Sequence, residues 1–84
     1  MSRYIIIMST VINTSIDLHH VSLVIATFSG ILEWSVDLED CDRILRVVCN
    51  DYIGIELLKG LEEKDVSSKV LEVFNGNGVS LGLN

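Results

Sequence analysis

From Glu33 to Leu38 polar and apolar residues alternate, with Trp34, Val36 and Leu38 on one side and Glu33, Ser35 and Asp37 on the other. A period of two marks a strand with one buried face. Before it, Leu18, Val21, Ile25 and Phe28 recur at helical spacing. Thr14 with Asp17 three residues on resembles a capping box, with Asp in place of Glu, and marks that helix's start. Gly30 is its expected end, where a left-handed residue costs least. Upstream, Arg3 to Ser9 is rich in β-branched residues and apolar on both faces, which predicts a central strand.

Downstream, a short acidic turn leads into a strand from Ile44 to Cys49. Asn50 or Asp51 is expected to cap a second helix with a stripe of Ile53, Leu57, Leu58 and Leu61. Gly54 and Gly60 weaken it locally, each by up to about 1 kcal/mol relative to Ala. Lys69 to Phe74 is the last strand, and Asn75-Gly76-Asn77-Gly78 is a turn signal. Residues 1–75 thus read as one domain. In the tail, 76–84, Val79, Leu81 and Leu83 alternate with small residues; fraying is expected there rather than a further edge strand.

The order β-α-β-β-α-β constrains the topology. Right-handed crossovers place strands one and two parallel with strand three between them. The expected fold is an α+β sandwich: a four-stranded antiparallel sheet in order 4-1-3-2, with two helices on one face. Its core should contain Val21, Ile25, Phe28, Trp34, Val36, Leu38, Leu45, Val47, Leu57 and Leu61.

Length and charge narrow the possibilities. The chain has 84 residues, enough for one core. Its formal net charge of −6, with Lys and Arg scattered, argues against nucleic acid as a partner. No apolar run reaches the roughly 18 residues needed to cross a bilayer, so no membrane partner is expected. Tyr4 to Met8 is too short for a signal-peptide core, and the expected compartment is the cytoplasm. Cys41 falls in the predicted hairpin turn and Cys49 at the far end of the next strand, roughly 20 Å away at strand rise. They read as two separate reduced thiols.

The register from Val21, Ile25 and Phe28 through Gly30-Ile31 to Trp34 and Val36-Asp37-Leu38 resembles the heavy-metal-associated domains, the small copper-chaperone type with a ferredoxin-like fold. In that family a similar stretch reads V-x-x-x-L-x-x-L, then G-V, then V-x-V-D-L. The hairpin W-x-V-D-L-E-D is similar to that of a bacterial subset without metal-binding cysteines. The resemblance covers about Tyr4 to Phe74. It implies metal transport or chaperone relatives, in which a C-x-x-C between the first strand and first helix clasps Cu(I) through soft sulfur. Counted back from Val21, those positions fall on Thr14 and Asp17, a hydroxyl and a carboxylate. The resemblance therefore implies the domain without its metal site.

Other candidate chemistry is sparse. Adjacent His19 and His20 diverge by about 100° on a helix, whereas a metal pair there needs i, i+3 or i, i+4. They read as solvated surface histidines. The acidic hairpin Asp37, Glu39, Asp40 and Asp42 lacks the calcium-loop register, so it reads as a solvated turn. Cys41 at its tip has no base nearby in sequence, which leaves a nucleophile reading without support. No phosphate-cradling loop and no nucleophile motif is present. The expectation is a non-enzyme without a cofactor. The alternative is a metal-ion carrier with a substituted site where Asp17, His20 and Cys41 approach at one end of the sheet.

Two apolar groups remain. Ile16 and Leu23 lie opposite the core stripe of the first helix. Ile44 and Val48 flank Arg46 on the presumed open face of the sheet, beside Ser35 and Glu33. Clusters of this kind point to another protein or a second copy as partner. A weak homodimer is expected, through the sheet face rather than the helix.

Overall fold

The computed structural model describes residues 3–77 and Leu81. Six elements follow one another: β1 (Tyr4–Thr10), α1 (Ser15–Ala26), β2 (Ile31–Asp37), β3 (Ile44–Cys49), α2 (Gly54–Glu63) and β4 (Ser68–Asn75). The strands form one antiparallel sheet in the order β2-β3-β1-β4, which is 4-1-3-2 from the opposite edge. The architecture is α+β and compatible with a ferredoxin-like sandwich.

Alternation along the two central strands divides the sheet into faces. Ile6 and Met8 of β1 and Leu45, Val47 and Cys49 of β3 are fully buried, and they join Val21, Val24, Ile25, Leu57 and Leu61 from the helices in one core. Trp34, Val36 and Phe28 pack against that core while only partly buried. Leu38 does not, being 47% exposed. β2 ends at Asp37, whose carboxylate turns the chain by accepting from the amides of Glu39 (3.0 Å) and Asp40 (3.3 Å). Leu38 is thereby carried out of the strand's alternation.

The helix ends also depart from expectation. α1 stops at Ala26 with Thr27 as its C-cap, and Thr27 Oγ1 donates to the Val24 carbonyl (2.7 Å). Gly30 lies beyond, outside the left-handed range; a Cβ there would meet Asn50 Oδ1 at 2.6 Å. A side chain at this position would displace the exposed Asn50 side-chain amide, so the glycine marks a close approach rather than a helix stop. α2 begins at Gly54 without any side-chain cap, so neither Asn50 nor Asp51 caps it. The Asn50 amide instead donates to the Gly30 carbonyl (2.9 Å).

The other end of α2 carries a Schellman closure. Asp65 is left-handed (φ 58°), its amide donates to the Glu62 carbonyl (2.9 Å), and the Val66 amide donates to that of Leu61 (2.9 Å). Leu61 and Val66 are both in the core. Gly60 serves helix packing: a Cβ would lie 2.8 Å from Val24 Cγ1 on α1. Of the tail, Leu81 donates its amide to the Val73 carbonyl (2.8 Å). The fraying expected over 76–84 otherwise concerns residues largely outside the described ones.

Candidate functional site

Three connections meet at one end of the sheet: the β1–α1 loop, the β2–β3 hairpin and the α2–β4 turn. Backbone bonds tie them together, Thr10 N–H to the Asp42 carbonyl (3.0 Å) and Val11 N–H to that of Ser67 (3.1 Å). Thr10 Oγ1 donates to the Arg43 carbonyl (2.7 Å) and accepts from the Ile12 amide (3.4 Å). Arg43 is the clamp. Its backbone is left-handed (φ 44°), and its Nε donates to the Ile12 carbonyl (3.2 Å). Its Nη1 donates to the carbonyls of Leu38 and Asp40. A guanidinium has donors but no acceptor, so it suits a knot of turn carbonyls.

Thr14 and Asp17 lie beside this knot, at the start of α1. The Thr14 side chain accepts from the Asp17 amide (3.1 Å). Asp17 Oδ2 accepts in return from the amides of Thr14 (3.2 Å) and Asn13 (2.9 Å). This reciprocal capping box satisfies donors that a helix start leaves orphaned. The Asn13 amide, above all, holds the Asp17 carboxyl below its ordinary range; desolvation opposes it, and the Thr14 donors and His20 add to the lowering. Thr14 and Asp17 fit a helix terminus and do not fit Cu(I), which selects thiolates. A shallow depression of about 270 Å³ beside them is lined by Ile12, Thr14, Leu18, Leu38 and Arg43, with no sulfur donor among them.

The remaining candidates are dispersed. His19 is exposed, whereas His20 is half-buried and its Nδ1 is shut away from water without a hydrogen-bond partner. The expectation of two solvated histidines is therefore corrected at His20, which tucks one ring edge against α1's surroundings. Cys41 is a free, exposed thiol. Its sulfur and the carboxylates of Asp40 and Asp42 lie within 4.8 Å of one another, while Asp17 and His20 are not part of that group. Asp40 Oδ1 is engaged by the Asp42 amide (2.8 Å), as befits a turn. Cys49 is buried, its thiol pushed up by desolvation and further by Asp51.

The sheet's other face is built differently. Ile44 and Arg46 are partly exposed there. Arg46 Nη1 stands 3.5 Å from Glu33 Oε1, and Ser35 is its cross-strand partner. Val48 is only 6% exposed, shielded more than a contact residue would be expected to be. Ile5, Ile7 and Phe74 share this face by register, since Ile5 pairs with Val48 and Phe74, and Ile7 with Arg46 and Glu72. Sequence reasoning missed these three; for Ile5 and Ile7 the signal was the apolar character of both faces of β1. Ile16 and Leu23 on α1 are 65% and 44% exposed.

No protein-family model matches this sequence, and no curated protein matches it.

Proposed function

We propose that the chain is a ferredoxin-like, heavy-metal-associated-type domain that has exchanged its metal loop for a helix cap and acts as a non-catalytic protein-interaction module. The observation that carries this reading is the commitment of both ligand positions to the start of α1: Thr14 Oγ1 accepts from the Asp17 amide, and Asp17 Oδ2 accepts from the amides of Asn13 and Thr14. Support also comes from the loop end as a whole. Its carbonyls are taken up by Arg43 and Thr10, which leaves a closed knot rather than an open chelate. Apolar side chains that remain partly exposed lie on the open sheet face, at Ile5, Ile7, Ile44 and Phe74, and on α1 at Ile16 and Leu23.

Titration of Cu(I) and Zn(II) into the fully reduced chain tests the proposal. The expected result is no stoichiometric binding in the micromolar range. Binding at one equivalent with a dissociation constant of roughly 1 μM or tighter contradicts it. If metal binds, a Cys41→Ser, His20→Ala double variant decides whether a substituted carrier site is responsible, since loss of affinity would assign it to those donors.

A further inference from the structure

The open face of the sheet reads as three cross-strand rows. The first runs Glu33, Val48, Ile5, Phe74, and the second runs Ser35, Arg46, Ile7, Glu72. The third holds the pairs Asp37 with Ile44 and Ser9 with Lys69. Both helices pack on the opposite side, and among the described residues no element crosses this one. Apolar side chains occupy the middle, with Arg46 and Glu72 on either side of Ile7.

A second copy stacked face to face must be related by a two-fold axis lying between the sheets. If that axis ran across the strands at the level of Ile7, Arg46 would meet its own copy and Glu72 likewise, a like-charge arrangement. If it ran along β1, strand would lie over strand with left and right exchanged. Ile5 and Ile7 would then meet their own copies, Arg46 would meet the second copy's Glu72, and Val48 would meet its Phe74. Charge chooses the second arrangement. The acidic β2 positions Glu33 and Asp37 would remain at the rim, where water screens them.

From this complementarity we infer that the chain pairs with a second copy of itself through the open sheet face, about a two-fold axis along β1, with reciprocal contacts between Arg46 and Glu72. The inference rests on the interaction-module reading and specifies its partner. Arg46 keeps Glu33 as a neighbour within its own sheet, so its charge is compensated in either state. Three overlapping strands and three rows span only about 300 Å² per copy at ordinary strand spacings, against about 800 Å² for a stable interface. The pair is accordingly weak and forms at high concentration. Aligned sheets stack at about −30°, which the native twist supplies.

Sedimentation of the full chain from about 5 μM to 0.5 mM, a ~100-fold range, tests self-association. A monomer–dimer equilibrium is expected. Arg46→Glu alone and Glu72→Arg alone should each weaken it by roughly tenfold or more, because each places like charges across both contacts. An equimolar mixture of the two should associate at least as strongly as the native chain, since both cross-contacts are then Glu opposite Arg. Circular dichroism melts establish that each variant is folded. A native chain that stays monomeric throughout, or a mixture no better than its components, overturns the pairing. Neither result touches the metal titration, so failure of the self-pairing and failure of the underlying reading remain separate.

Discussion

The two ends of usefulness in this molecule differ in how their polar groups are spent. At the loop end, carboxylates, hydroxyls and a guanidinium are consumed by backbone amides and carbonyls of the same chain. On the open sheet face, the exposed Arg46–Glu33 ion pair accompanies a band of half-buried apolar residues. Local polar groups that close on themselves build a fold and leave little for a ligand. Apolar area left in water is the reverse, since it gains from being covered. On the proposed reading, structure is carried at one site and association at the other.

The largest expected effect breaks the closed end. Arg43→Ala removes the guanidinium from three carbonyls and leaves a Cβ in left-handed backbone, so it should cost about 2–4 kcal/mol in urea unfolding. Arg43→Gly loses the same contacts but tolerates the backbone, and should cost roughly 1 kcal/mol less. Equal losses for the two variants would show that φ at this residue carries no strain.

Next in size is the cap. Thr14→Ala should lower stability by about 1 kcal/mol. Asp17 adds a pH signature with a definite sign. Its folded-state pKa is depressed, so its contribution is fully present above the ordinary carboxylate range and is lost as pH falls through the lower folded-state value. Between native and Asp17→Asn proteins, the stability gap should therefore narrow on acidification. A gap that is constant from neutral pH to acid denaturation would remove Asp17's carboxylate from the account.

Asp65→Gly should act in the opposite direction. It relieves left-handed backbone at the α2 closure and should raise stability by roughly 0.5–1 kcal/mol. A loss would mean that the Asp65 side chain contributes more than its backbone costs. The smallest effect on stability belongs to the open face: Ile44→Glu should change it by no more than about 0.5–1 kcal/mol. A large loss of stability there would show that the face is core rather than surface.

How much of this was legible beforehand depends on how local the determinants are. The α1 cap lies within four residues, Thr14 to Asp17, and its spacing is visible in the sequence. The alternation in β2 and β3 is likewise local, and it locates Leu45 and Val47 in the core. Arg43 is different. Its partners Leu38, Asp40 and Ile12 come from two separate connections, so no sequence pattern announces the clamp. Asn50 and Asp51 obey the local rule for a helix cap, yet pairing of Asn50 with Gly30 prevails and α2 starts later. Phe74 was hidden by a register shift in β4, opposite Ile7 and Met8 of β1. That extra residue reverses the alternation and turns Phe74 to the open face with Glu72.

The proposal stands on a loop end that is structural and takes no metal. Amide proton–nitrogen correlation spectra of the reduced, labelled chain, recorded as Cu(I) is added to one equivalent, test it at the residues concerned. The account predicts that the amides of Asn13, Thr14 and Asp17, which hold the cap together, keep their positions. Saturating shifts of those amides at one equivalent, together with Cys41, would contradict it.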